Sequence, residues 1–146
     1  MIRNMIEDDR NSVLKMMKTF YETPAVLSNG SEDIFKSDFE NCIGACAFLE
    51  GYIFYDHTGI IKGYGMVAKS FSTEFGKPCI WIEDLYVQPE YRGIGIGGEF
   101  LDFIANKYTD NVIRLEVEEE NTRAVSVYKS HKFSVLPYQE MIRHQL

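Results

Sequence analysis

A short glycine-rich stretch is the part of this sequence that is best suited to bind a ligand. Four of the six residues from 93 to 98 are glycine, and a run with the helical spacing of apolar residues follows directly. Without Cβ atoms, the backbone amides of such a loop can approach an anion closely. The N-terminus of the following helix adds unpaired N–H groups and the positive end of its dipole. The stretch therefore predicts a site for a diphosphate.

Two well-known glycine patterns fit this loop poorly. Gly93, Gly95 and Gly98 formally satisfy the G-x-G-x-x-G pattern of dinucleotide-binding domains. That pattern needs its glycines directly at the end of a strand, whereas residues 88–92 intervene here, and too little chain follows to complete such a domain. A phosphate-binding P-loop is excluded because Glu99 stands where a lysine must follow the last glycine.

A third pattern, R-x-x-G-x-G, is formed by Arg92, Gly95 and Gly97. With it, the sequence resembles the GNAT superfamily of N-acetyltransferases, in which a loop of this form binds the diphosphate of coenzyme A through backbone amides. A glycine-rich turn without a ligand is the alternative. The resemblance implies that acetyl-coenzyme A is held by Arg92, Gly93, Ile94, Gly95, Ile96, Gly97 and Gly98.

Two flanking segments extend the resemblance. Residues 83–87 precede the loop and residues 121–128 follow it at the spacing found in that superfamily. Residues 70–73 and 83–87 resemble the branch that contains the diamine (spermidine/spermine) acetyltransferases. One departure is Lys132, which stands just before Phe133, where the superfamily usually has glycine.

The resemblance also implies how the pantetheine arm of the cosubstrate binds. The arm would lie as an extra strand against Leu85, Tyr86 and Val87, with an amide near Val87 donating to the developing oxyanion. The side-chain amide of Asn121 would bond the same arm. Asn121 is equally suited to cap the helix that follows it, and the two roles are compatible.

Glu83 is the candidate general base. An alkylammonium has a pKa of about 10.4, and it must lose a proton before it can attack a thioester. Glu83 lies on the predicted central strand, where burial would raise its pKa toward a useful range. A structural ion pair, or simple attraction of a cationic amine, remains an open alternative.

Tyr128 is the candidate general acid. Collapse of the tetrahedral intermediate expels a thiolate, and a phenol with a pKa of about 10 can return a proton to it. A tyrosine on an apolar helix face is more often part of the core. The catalytic hypothesis rests on its position seven residues after Asn121, as in the family motif.

Apolar spacing and turn residues predict the elements that must position these side chains, in the order β, α, α, β, β, β, α, β, α, β. We expect one α/β domain over residues 1–146 with a GNAT-like fold. By resemblance, it has a mixed central sheet of six to seven strands, about four helices, and a V-shaped splay between the strands at 79–87 and 112–117. The predicted strands are 2–4, 47–55, 60–71, 79–87, 112–117 and 133–143, and the predicted helices begin near Asp8 or Asp9, Ser31, Gly97 and Asn121.

The charge balance limits the partners. The 146 residues contain 15 Lys and Arg against 22 Asp and Glu, which gives a formal charge of −7. A nucleic-acid-binding surface needs a concentrated basic face, so we exclude that partner, whereas the acidic balance favours a cationic acceptor. No signal-peptide pattern opens the chain and no run approaches the roughly 20 apolar residues of a membrane span, so we expect a cytoplasmic protein with no membrane partner. The acidic run at 116–120 is interpreted as a solvated strand end, and no metal site is predicted.

The predicted function is transfer of an acetyl group from acetyl-coenzyme A to the primary amine of a small, polyamine-like molecule by direct attack in a ternary complex. No cysteine has the position or the neighbours of a covalent acyl carrier. A protein or peptide amine is the alternative acceptor. A non-catalytic acyl-coenzyme A sensor is the alternative of another class. By resemblance we also expect a homodimer.

Overall fold

The computed structural model describes residues 1–145 and places five strands in one sheet. The order is that of the chain, with antiparallel pairing between the first four strands and parallel pairing between the last two. The α/β class and the mixed sheet are confirmed, whereas the prediction of six to seven strands is wrong. The strands are β1 Ile2–Asn4, β2 Leu49–Tyr55, β3 Ile61–Ser72, β4 Lys77–Val87 and β5 Val112–Leu115.

The predicted strand at 133–143 is absent from the sheet, and the strand expected at 112–117 ends at Leu115. Residues 134–143 are exposed and irregular. Pro137 lies in the middle of this segment and has no N–H to donate to a ladder. The apolar and aromatic residues of this segment suggested a strand, but the segment pairs with no other strand of residues 1–145.

Four α-helices flank the sheet, as predicted: α1 Arg10–Tyr21, α2 Glu32–Ile43, α3 Ile96–Lys107 and α4 Thr122–Ser130. The hydroxyl of Ser31 accepts the Ile34 amide at 3.2 Å, so this predicted cap of α2 is present. Asp9 precedes α1 but its carboxylate does not cap the helix; it accepts bonds from Arg3 instead. Within residues 1–145, no helix has the length and apolar character needed to cross a membrane.

The two faces of the sheet bury separate apolar clusters. Helices α1 and α2 cover one face, and α3 and α4 cover the other. The first cluster includes Val13, Met17, Phe39, Ile53, Tyr64 and Tyr86. The second includes Tyr52, Phe54, Ile80, Phe100, Leu101 and Ile104, with Tyr128 of α4 packed against it.

The parallel ladder between β4 and β5 is short. It runs from the Cys79–Val112 pair to the Ile82–Leu115 pair, and β4 then continues to Val87 with no strand of residues 1–145 paired on that side. A gap therefore opens between β4 and the segment that follows β5, toward the carboxyl end of β4. This is the edge at which α/β sheets bind ligands.

Candidate active site

The N-terminus of α3 presents bare backbone amides. The residue that precedes the helix is Gly95, whose φ of 91° lies in the left-handed region and whose position carries no side-chain cap. The amide of Glu99 is the first to donate into the helix, to the Gly95 carbonyl at 2.9 Å, so the amides of 96–98 have no acceptor there. A Cβ added to Gly95 would meet no atom within 4 Å. The loop is open on the side that an anion would approach.

Two arginines flank this loop. Arg92 donates its Nε to the Val87 carbonyl at 2.7 Å, and its guanidinium lies over the Tyr86 ring. Arg123, on the first turn of α4, has its Nη2 3.7 Å from the position that a Cβ on Gly93 would take. The sequence analysis identified Arg92 but missed Arg123, because its proximity to the loop depends on how α4 packs.

The glycines of the loop are not equivalent in the structure. Gly93 has a φ of 84°, a conformation that favours glycine, and a Cβ on Gly97 would make only an ordinary 3.9 Å contact with Leu85. Gly98 differs, because it is buried and a Cβ there would overlap the imidazole ring of His131. The two isoleucines between them have no polar group to offer; Ile94 is exposed and Ile96 packs against the apolar cluster under α3.

The end of β4 directs an amide into the gap between β4 and β5. The Gln88 amide donates to the Lys62 carbonyl at 2.8 Å, on the β3 side. Successive amides of a strand point to opposite sides, so the amide of Val87 points away from β3, toward the unpaired side. Leu85 and Val87 pack against the α3 cluster, whereas the Tyr86 ring is buried under α1 and the Tyr86 backbone groups point toward β3, so the predicted contact of Tyr86 with the pantetheine arm does not fit this edge.

A β-bulge changes the direction of the acidic pair on β4. Met66 pairs with Asp84 and the next residue, Val67, pairs with Ile82, so Glu83 is the extra residue. Strict alternation would place Glu83 and Asp84 on opposite faces. With the bulge, both side chains line one cavity on the α1–α2 side. Nothing in the local sequence signals this irregularity.

This cavity is strongly acidic. Its volume is ≈ 180 Å³, and three of its lining side chains are carboxylic acids. Asp84 is 4% exposed and accepts hydroxyl bonds from Tyr64 at 2.7 Å and from Tyr21 at 3.1 Å. The sequence analysis did not assign a role to Asp84, Tyr21 or Asp38, because helices and strand meet here only in the tertiary structure. The lining residues are Tyr21, Asp38, Leu49, Met66, Ala68, Glu83 and Asp84.

The three carboxyl groups of the cavity all have raised pKa values. Burial raises the pKa of Glu83, and the negative charges of Asp84, Glu140 and Asp38 raise it further. Burial also raises the pKa of Asp38 and of Asp84. Glu83 remains more than a third exposed and forms no hydrogen bond with any residue in 1–145, so its oxygens are free to accept a proton.

Tyr128 lies on the face of the sheet opposite to the acidic cavity. Its ring packs beside Phe133, with 6.1 Å between ring centroids, and joins the apolar cluster that includes Leu85 and Val87. Within residues 1–145 its hydroxyl has no hydrogen-bond partner. Burial raises the pKa of the phenol, so the group keeps its proton at neutral pH.

Asn121 acts as the predicted helix cap. Its Oδ1 accepts the Ala124 amide at 3.4 Å, which leaves the two N–H donors of the side chain available.

Burial raises the pKa of the Cys42 thiol to about 12, with a further contribution from nearby carboxylates, so this cysteine is not an activated nucleophile. Among residues 1–145, no three His, Cys, Asp or Glu side chains are grouped so that they could hold a metal ion.

A larger cavity of ≈ 420 Å³ lies between α1, the β2–β3 turn and the end of β4. None of its lining side chains is a carboxylate; the lining residues are Ser12, Lys15, Met16, Thr19, Gly59, Ile61, Tyr86 and Gln88. Lys15 would repel an ammonium group, so of the two cavities the smaller, acidic one suits a cationic molecule.

Comparisons with known proteins agree with this geometry. The sequence model described as the Acetyltransferase (GNAT) family matches residues 14–133. The chain is 31% identical over 141 residues to thialysine N-epsilon-acetyltransferase of Bos taurus, covering 89% of this chain and 81% of that protein. It is 32% identical over 139 residues to the protein of the same name from Sus scrofa, with the same coverage.

Solved structures show the same fold at low sequence identity. The chain matches a "possible acetyltransferase" from Clostridium difficile 630 with a TM-score of 0.84 and 21% identity, over 100% of this chain and 97% of the other. It matches a ribosomal-protein-alanine N-acetyltransferase from Brucella melitensis biovar Abortus 2308 with a TM-score of 0.72 and 13% identity, over 99% of each chain.

Proposed function

Because this chain belongs to the acetyltransferase (GNAT) family and is an N-acetyltransferase, we propose that it transfers acetyl from acetyl-coenzyme A directly to a small primary amine that carries a second positive charge. The acidic cavity at the β4 bulge carries this proposal. The resemblance to thialysine N-epsilon-acetyltransferases supports it, since thialysine is a small molecule with more than one amine.

The proposed cosubstrate site is the bare start of α3 and the open edge of β4. Amides at 96–98 and the helix dipole would hold the diphosphate, and Arg92 and Arg123 would add positive charge beside it. The pantetheine arm would continue along Leu85 and Val87, where β4 lacks a neighbour. A strand-like arm would replace the missing ladder there, and the free amide of Asn121 could bond it.

The proposed chemistry takes place at the gap between β4 and β5. Glu83 accepts the proton of the ammonium group, directly or through a water, because its pKa is raised and its oxygens are unoccupied. Asp84 is the weaker base, since both of its oxygens already accept tyrosine hydroxyls; it would bind the charged amine instead. The Val87 amide donates to the oxyanion, and the protonated Tyr128 phenol returns a proton to the departing thiolate.

The charge and size of the cavity support a small dication as the acceptor. Asp38, Glu83 and Asp84 lie around a volume of ≈ 180 Å³, in which one ammonium can be neutralised while a second amine is deprotonated. An ammonium near several partly buried carboxylates gains more Coulomb energy than it would in bulk water. A neutral or anionic acceptor would leave these carboxylates uncompensated.

A panel of amines tests this proposal. Release of free thiol from acetyl-coenzyme A would be measured with spermidine, thialysine, lysine, a monoamine of matched length, and peptides with free N-terminal or lysine amines. We expect the acceptors with two or more ammonium groups, which are spermidine, thialysine and lysine, to give the highest kcat/KM. Asp38→Asn should raise KM for these acceptors about 10-fold, as loss of a charge-assisted contact does, and should leave KM for acetyl-coenzyme A unchanged.

Other outcomes of the panel have distinct meanings. A higher kcat/KM for peptides than for spermidine, thialysine and lysine would contradict the small-amine proposal and favour the protein acceptor. Tight binding of coenzyme A with no thiol release for any amine would contradict catalysis and favour a sensor.

We also propose that two copies of the chain form a homodimer. Apolar side chains are exposed along residues 135–142, and such clusters mark interaction surfaces. Light scattering should then give twice the chain mass of 16.9 kDa, and Met141→Lys, at a side chain that is 95% exposed, should shift the protein toward the monomer. A monomeric wild type would contradict the proposal. The exposed side chains are Val135, Leu136, Tyr138, Met141 and Ile142.

The cytoplasmic location and the single domain remain predictions from the sequence.

A further inference from the structure

Helix α4 carries the proposed acid but is held to the rest of the protein by few contacts. None of the nine residues of Thr122–Ser130 is fully buried. Tyr128 and the following Phe133 pack against the apolar cluster, each only in part. An acid on a loosely held helix would be displaced easily, and a displacement of about 1 Å can cost up to 100-fold in rate.

One side chain at the end of α4 makes two specific contacts with α3. The imidazole Nδ1 of His131 lies 2.9 Å from Oδ1 of Asp102. The other edge of the ring lies against Gly98, where an added Cβ would be 2.7 Å from Cε1 and would overlap Nε2. The ring therefore occupies the space that any other residue at 98 would fill, and the histidine side chain is only 26% exposed.

The same residue terminates the helix that carries Tyr128. The His131 amide donates to the Tyr128 carbonyl at 3.0 Å, and the Phe133 amide donates to that carbonyl as well. The contact of His131 with α3 and the position of Tyr128 in the apolar cluster are thus linked through one turn of backbone.

We propose that His131 is a positioning residue, which locks α4 onto α3 through Asp102 and the surface of Gly98 and thereby holds the Tyr128 hydroxyl at the reaction site. The missing side chain of Gly98 then makes room for the His131 ring, so the requirement for glycine at 98 does not come from the diphosphate, although the position falls within the glycine pattern and keeps its backbone amide. This inference rests on the proposed function, because it assigns a task to the helix that carries the proposed acid.

The glycine contacts separate Gly98 from its neighbours. Gly95 needs its left-handed conformation and Gly97 has ordinary space around it, whereas only Gly98 faces a side chain of α4 at a distance that excludes a Cβ. The packing requirement at 98 is therefore explained by His131 without any ligand.

Double-mutant cycles test the inference. His131→Ala should lower kcat about 10- to 100-fold, with a much smaller change in KM for acetyl-coenzyme A and in the dissociation constant of coenzyme A, because Asn121 and Arg123 lie at the opposite end of α4 from His131. In the Tyr128→Phe background the same substitution should have almost no further effect on kcat, because the group that it positions is already gone. If His131 had only a structural role, His131→Ala would lower kcat by the same factor in the wild type and in the Tyr128→Phe background.

Two further variants keep the test independent of folding. Gly98→Ala should lower kcat in the wild type but not in the His131→Ala background, where the ring is absent. Asp102→Ala should lower kcat, whereas Asp102→Asn, which keeps an acceptor oxygen, should restore most of it. Ser130→Ala is the matched control, because within the described part of the chain the Ser130 hydroxyl bonds only to its own helix at Val127, and it should behave as the wild type.

The inference is overturned if His131→Ala leaves kcat unchanged, or if Gly98→Ala weakens coenzyme A binding equally in both His131 backgrounds. The second result would return Gly98 to the cosubstrate site. A wild type that releases no thiol with any amine would instead overturn the proposed function, so the two failures are distinguishable.

Discussion

Lys132→Gly is predicted to stabilise the protein. Lys132 has a φ of 72°, which is a left-handed conformation, and it is exposed just beyond α4. The Phe133 amide donates to the Tyr128 carbonyl at 3.0 Å and the Lys132 amide to the Lys129 carbonyl at 3.1 Å. These two bonds form a Schellman motif, whose left-handed position is usually occupied by glycine. The absence of glycine here is the departure from the family pattern that the sequence shows.

The size of the effect follows from two opposing terms. A residue with a Cβ in this conformation costs about 1–2 kcal/mol, which glycine would remove. Glycine in turn loses about 0.4–1 kcal/mol more entropy from the unfolded chain. We therefore expect a gain of about 0.5–1 kcal/mol in the free energy of unfolding, which at this chain length corresponds to a rise of about 1–4 °C in Tm.

Thermal unfolding followed by circular dichroism or calorimetry measures this change. Lys132→Ala is the matched control, because it removes the same side chain but keeps the Cβ, and it should give no gain. An unchanged or lower Tm for Lys132→Gly, or an equal rise for Lys132→Ala, would refute the reasoning that the backbone at 132 is strained.

Two other predictions concern the acid and a charged network. Tyr128→Phe should lower kcat by about 100-fold or more with an unchanged dissociation constant for coenzyme A, as steady-state kinetics and calorimetry would measure; full activity would remove Tyr128 from the mechanism. Burial acts to raise the pKa of Glu50, but bonds from Tyr108, Lys69 and Lys107 lower it to about 2. This stabilisation is complete above the unfolded pKa of about 4.3 and is lost as pH falls toward 2, so Glu50→Gln should cost about 1.5–3 kcal/mol at pH 7 in urea unfolding and clearly less at pH 3. An equal loss of stability in Glu50→Gln at both pH values would contradict the lowered pKa of Glu50.

Features that depend on neighbouring residues in the chain were predictable from the sequence. The glycine loop before α3, the caps at Ser31 and Asn121, and the β2–β3 hairpin all depend on local turn and capping chemistry, and each is present in the structure. The strand expected at 133–143 failed because strand propensity forms no ladder without a partner.

Features that depend on packing between distant segments were not predictable. The bulge at Glu83 follows from how β3 and β4 align, and it reverses the face on which Asp84 lies. The contact of His131 with Gly98 joins the end of α4 to the start of α3, which the sequence separates by the rest of α3, by β5 and by α4. From sequence alone, strict strand alternation places Asp84 on the wrong face of the sheet. The glycine motif gives no indication that Gly98 contacts His131.

Calorimetric titration with coenzyme A and with pantetheine, which lacks the diphosphate, tests the central claim most directly. If the amides at the start of α3 bind the diphosphate, coenzyme A should bind much more tightly than pantetheine. Gly95→Val, which places a branched side chain at a φ of 91°, should remove most of that difference. No heat with coenzyme A, or equal affinities for the two ligands in the wild type, would contradict the account.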